Sequence, residues 1–175
     1  KENPATDVDR AALEAVKTLH MVPVEVSLPD WPYGNLLHVL FAEAAASFDD
    51  IPRSGDINQL LNPTGSRSSW PNTFRQGRFV PAVEYIRAMR ARTLLMHQMD
   101  EYMSKYDAIL SPGDSMSTIT NRTGHPAISL KAGFSNNLPR PLVITGKLYE
   151  EATICRIALA YEQATEWKDK HPTLA

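Results

Sequence analysis

Five hydroxyl side chains crowd one stretch of this chain, Ser115, Ser117, Thr118, Thr120 and Thr123, and His125 follows at once between Gly124 and Pro126. Hydroxyls in that number could supply a nucleophile or orient a polar substrate, and an imidazole beside them could accept a proton. A hydroxyl without an activating base is a poor nucleophile, however, and no lysine neighbours these before Lys131. Hydrogen bonding to the local backbone is the simpler role for them. His125 is equally suited to a backbone hydrogen bond in a tight turn, since Gly124 accepts positive φ and Pro126 fixes its own φ at about −65°. The run Gly65-Ser-Arg-Ser-Ser lacks the flanking glycines that would let backbone N–H groups converge on an oxyanion, and after Asn62-Pro63 it reads as a turn.

Metal chemistry has little to draw on. His20, His38, His97, His125 and His171 are too scattered for a ligand signature, and the single cysteine, Cys155, excludes an internal disulfide and any multi-thiolate site. No metal and no cofactor is expected, and Cys155 reads as a small core residue of its helix. A formal charge of −2 over 175 residues offers no basic face for phosphates, so no nucleic-acid partner is expected. No apolar run approaches the roughly 18 residues of a membrane span, so no membrane partner is expected either. An apolar share of 43% and a charged share of 22% fit one folded domain, residues 1–175, with its own core.

The elements that must position these residues alternate in type. Thr6 followed by Asp9 predicts a helix start, and good helix formers run from Asp7 to His20. Val22-Pro-Val-Glu-Val reads as a strand that Pro23 confines to an edge or a strand start. After a turn at Trp31-Pro-Tyr-Gly, Leu36, Leu37, Leu40, Phe41 and Ala44 mark a helix over residues 35–48. Residues 49–77 read as a long irregular stretch of the kind that covers a site. A long helix follows from Pro81 to Lys105, with Val83, Ile86, Met89, Leu94, Met96, Met99 and Met103 recurring near 3.6. Asp107 to Pro112, Ala127 to Lys131 and Pro141 to Gly146 read as strands. Glu150 and Glu151 open a last helix that Lys168 and Lys170 close, with Ile154, Ile157, Tyr161 and Ala164 inward. This order predicts an α/β protein of about four strands, its sheet mixed and mostly parallel with helices packed on it.

Several of these pieces, in this order, resemble the closing segment of the amidase signature family of serine amidases, which includes the amidase-type component of aminoacyl-tRNA amidotransferases. They are Asn121-Arg-Thr-Gly-His-Pro-Ala-Ile-Ser-Leu-Lys-Ala-Gly, then Gly146-Lys-Leu-Tyr-Glu-Glu-Ala, then Ala160-Tyr-Glu-Gln-Ala-Thr. Arg75, Gly77, Ala82, Tyr85, Ala88 and Arg92 resemble a further series in the family, as does Tyr106-Asp-Ala-Ile-Leu-Ser-Pro. The resemblance covers most of the chain and is strongest from Arg75 onward. Lys131 stands where the family usually has proline, and the loop from Pro112 to Asn121 is short for many members.

The resemblance implies a partial amidase signature fold and a parent that hydrolyses linear amide C–N bonds through two serines and a lysine. Those catalytic residues lie on segments upstream of the matched region, so no catalytic residue is expected in this chain. It is expected to complete the sheet and the substrate funnel of a longer enzyme, a reading that its start at Lys1-Glu-Asn-Pro also fits, and to be inactive alone. The alternative is a non-catalytic binding or assembly module on an amidase-like scaffold. Some glutamine-using relatives hold an amino-acid zwitterion with an acid and a base from comparable stretches, which makes Asp114 and Arg75 candidates for substrate contact, with Thr123 beside them. Their structural alternatives are a turn-forming Asp114 in Pro112-Gly-Asp-Ser and an Arg75 that meets a carbonyl or an acid. Gly124, His125 and Pro126 form the expected structural turn. The partner implied is a small amide in the parent enzyme, and a strand edge left uncovered is expected to produce a homo-oligomer.

Overall fold

The computed structural model describes residues 4–31, 33–60, 69–113 and 115–173 of the chain. The chain divides into two compact units, residues 1–30 with 96–175, and residues 31–95. The expected turns at Trp31-Pro-Tyr-Gly and Gly65-Ser-Arg-Ser-Ser, and the candidate Asp114, fall wholly or partly outside the described residues.

The first unit is built on helix α1 (Pro4–Thr18), strand β1 (Ala108–Pro112), helix α6 (Ser117–Thr123), strands β2 (Ala127–Ser135) and β3 (Leu138–Gly146), and helix α7 (Glu151–Ala164). The α/β class stands, but among the described residues the sheet has three strands in the order β1-β3-β2. Both pairings are antiparallel, in contrast to the mostly parallel sheet expected. The cause lies at Asn136 and Asn137, whose φ values of 52° and 61° form a two-residue hairpin turn. Such a turn returns the chain beside itself and admits no parallel pairing of β2 with β3. The expected strand at Val22–Val26 is absent, because residues 21–30 have no strand to pair with.

Pairing fixes which side chains share a face. Leu110, Ile128, Leu130, Leu142 and Ile144 point to one side, where α1 and α7 cover them with Ala12, Val16, Ile154, Ala158 and Tyr161. Burial of each large member contributes roughly 1.5–3 kcal/mol. α1 approaches β2 so closely that a Cβ on Gly133 would lie 2.9 Å from Val8 Cγ1, which explains the glycine after the bulge between Lys131 and Gly133. Asp9 does not serve the helix start. It accepts from Arg140 Nε at 2.9 Å and Nη2 at 2.8 Å, a two-point pair joining α1 to β3. Beyond α7, Asn137 exchanges two hydrogen bonds with the backbone of Thr173, and Lys131 Nζ donates to the carbonyls of Lys168 and Lys170. These contacts lay the tail along β2.

The second unit contains α2 (Leu37–Ser47), α3 (Asp50–Ser54), α4 (Trp70–Gly77) and the first part of α5 (Ala82–Met103), whose last turns belong to the first unit. The stretch expected to be irregular therefore holds two short helices. Its core is Ala44, Ile57 and Phe74 with Ile51 against them, and Phe74 lies between the rings of Phe48 and Trp70 at 5.1 and 5.6 Å. Asp49 accepts from both Arg53 and Arg78. On α5, Leu95, Met99 and Met103 are buried, whereas Val83, Ile86 and Leu94 are exposed, so the inward face differs from the one the periodicity suggested. No helix among the described residues is long and apolar enough to cross a membrane.

Candidate functional site

The turn between α6 and β2 gathers four of the residues singled out in the sequence. Gly124 ends α6 with φ 80°, its N–H donating to the Thr120 carbonyl at 2.8 Å, the left-handed stop that glycine provides. Thr123 is fully buried, and its hydroxyl donates to the Ile119 carbonyl at 3.0 Å. With its proton committed there, that hydroxyl receives His125 Nδ1–H at 2.9 Å. Nε2 of His125 is then a buried acceptor with no partner among the described residues. Burial holds the imidazole pKa below its usual 6.5, while the nearby Asp100 acts in the opposite direction. Pro126 closes the turn by accepting from the Gly146 N–H at 2.9 Å, which brings the start of β2 beside the end of β3.

This geometry orders the turn more than it prepares a reaction. An imidazole that donates to Thr123 is in the wrong tautomer to take that hydroxyl's proton. Other hydroxyls of the crowded stretch bond locally, Ser115 to the Pro112 carbonyl at 3.3 Å and Thr120 to the Ser117 carbonyl at 3.4 Å. Lys131 Nζ is held by the tail carbonyls and lies 5.7 Å from the Phe134 ring centre. Among the described residues no group of three His, Cys, Asp or Glu side chains is placed to hold a metal ion.

Arg75 lies in α4 of the second unit, half-buried, and donates to Asn72 Oδ1 at 3.3 Å and Asn58 Oδ1 at 3.1 Å. Two amide oxygens hold it, rather than a carbonyl or an acid. Cys155 is exposed on α7, next to buried Ile154, so it is not the core residue expected.

Two polar residues escaped the sequence reading. Ser111 on β1 and Thr145 on β3 are buried diagonal neighbours on the sheet face opposite α1 and α7, and neither hydroxyl has a partner among the described residues. The only sequence signal was a hydroxyl inside each apolar strand. A cleft of about 410 Å³ opens between α1 and the sheet, floored by Leu110, Ala132 and Leu142 with Leu13 and Asp9 at its sides. It is apolar and holds none of the candidate residues.

No family model matches the chain. Among curated proteins it is 29% identical to the amidase-type component (GatA) of the glutamyl-tRNA(Gln) amidotransferase of Halalkalibacterium halodurans, over 99% of this chain and 44% of the relative. The corresponding protein of Lysinibacillus sphaericus is also 29% identical, over 94% of the chain and 42% of its own length. Among solved structures, a peptide amidase in complex with the competitive inhibitor chymostatin matches with a TM-score of 0.76 at 19% identity, over 97% of this chain and 42% of that one. An amidase family protein from Bacillus anthracis matches with a TM-score of 0.72 at 15% identity, over 99% and 38%. The resemblance to the amidase signature family is thus borne out in relatives and in fold, and the chain spans less than half the length of the proteins it matches.

Proposed function

We propose that this chain, which carries part of the amidase signature fold, is the C-terminal portion of an amidase signature hydrolase whose parent cleaves linear amide C–N bonds by a Ser-Ser-Lys mechanism. Its part is to complete the sheet and the substrate funnel, while the catalytic residues lie on the portion of the fold that it does not contain. The observation that carries this reading is the coverage: 99% of the chain aligns with 44% of an amidotransferase GatA protein. The exposed apolar face of α5, with Val83 63%, Ile86 58% and Leu94 62% exposed, supports it, because a larger fold would cover such a stripe.

Thr123 is assigned to the funnel wall through the turn it orders, with Arg75 and Asp114 as the polar contacts to a small amide in the parent. Uncovered apolar surface favours association of copies, so the isolated chain is assigned as a homo-oligomer. Incubating the chain with a serine-directed fluorophosphonate probe, beside an assay against a panel of simple amides, tests the central claim. Neither labelling nor hydrolysis is expected. Specific labelling of one serine would overturn the assignment and make the chain an enzyme in its own right.

A further inference from the structure

Residues 22–26 conflict with their own sequence. Val22, Val24 and Val26 alternate with Pro23, Glu25 and Ser27, the period-two pattern of a strand with one apolar side. Yet residues 21–30 belong to no helix or strand, and among the described residues no backbone group from 22 to 26 makes a hydrogen bond. Val22 is 86% exposed and Val24 66%. The segment is nevertheless held on both sides. Met21 packs on the core of the first unit, and Tyr102 Oη donates to the Ser27 carbonyl at 2.9 Å. A β-branched run with unpaired backbone, fixed at an exposed place, is an open pairing edge.

We propose that this edge pairs antiparallel with the same edge of a second copy of the chain, about a two-fold axis at Val24. Pro23 has no N–H, so a ladder can form only on the side where residues 22, 24 and 26 present their backbone groups. An axis at Val24 meets that condition: Val24 opposes Val24 as a hydrogen-bonded pair, and Val22 opposes Val26. An axis at Glu25 would set two carboxylates face to face, and one at Pro23 would oppose two residues that lack donors. In the Val24 register Glu25 faces Pro23 and the valines of both copies form one apolar side. The sequence is therefore self-complementary in this one two-fold register, and the formal charge of −2 adds little repulsion between copies.

Sedimentation of the full chain from micromolar concentrations upward, with hydrogen exchange on the same samples, tests the pairing. A dimer that forms with concentration is expected, with the amides of Val24 and Val26 slowed in it and that of Glu25 left fast. Val24→Pro removes the central donor and should weaken the dimer by at least about tenfold. Glu25→Pro, whose N–H points away, should leave it intact. An unchanged urea midpoint shows that Val24→Pro has not unfolded the chain, and Val24→Glu, which sets carboxylate against carboxylate, gives the same loss by another route. A monomer throughout, a dimer whose 22–26 amides exchange freely, or equal weakening by both proline variants would overturn the proposal. None of these results bears on the amidase reading, which the labelling assay tests separately.

Discussion

At His125 one buried acceptor is left without a partner while the other ring nitrogen is satisfied by Thr123, and this asymmetry gives the residue a pH signature. Burial lowers the folded-state pKa below 6.5, and Asp100 offsets part of that. The unfolded chain therefore binds a proton near its ordinary value that the folded chain resists. Stability from this group is complete above the unfolded pKa and declines as pH falls from there toward the folded pKa. Urea unfolding at about pH 7.5 and about pH 5.5 should show a lower midpoint at the acid end. In His125→Gln, which cannot titrate, the acid loss should shrink. An equal acid loss in both proteins would place the titrating group elsewhere. The turn itself was legible in the sequence, because Gly and Pro announce themselves locally. The bond from Thr123 to His125 was not, since a run of hydroxyls gives no sign of which one points inward.

The α6–β2 junction shows what a single backbone position can cost an element. At Gly124 a Cβ would meet only Leu148 Cδ2, at 3.9 Å, so space is not the constraint. The constraint is φ 80°, which a β-branched residue reaches only with strain. Gly124→Val should therefore destabilise the chain by more than about 1 kcal/mol, while Gly124→Asn, which tolerates left-handed backbone, should cost less. Matched chemical denaturation of the two variants checks this, and an equal cost would point to crowding instead of backbone. Elements with a strong local period, α1, α5 and α7, were legible in the sequence, as was β1. Helix α6 was not, because Ser-Thr-Ile-Thr-Asn-Arg-Thr carries the composition of a loop. The hairpin at Asn136 and Asn137 was missed with it, and so was the antiparallel order of the sheet. The pair between Asp9 and Arg140 joins residues 131 positions apart, beyond the reach of any local pattern.

Across the whole molecule, the apolar surface is the part of the architecture that the chain does not account for by itself. Phe79 and the α5 residues Val83, Ile86 and Leu94 are all more than half exposed, and at helical spacing the last three share one stripe. The sequence showed this stripe but could not say whether anything covers it, because periodicity reports an apolar face and not its partner. If the stripe is open to solvent in this chain, replacing it removes little burial. The double substitution Val83→Lys with Ile86→Glu should change unfolding stability by no more than about 0.5 kcal/mol, the range of ordinary surface changes. It should also reduce binding of a dye that reports exposed apolar surface. If the same side chains were already buried, two charges placed there would cost several times more, since each large apolar group withdrawn from water contributes roughly 1.5–3 kcal/mol and an unpaired charge adds its own penalty. Calorimetric unfolding of the variant beside the parent chain separates the two cases. A large loss of stability would show that this surface is already covered in the chain as it stands, and would remove the exposed stripe from the support for a longer amidase fold.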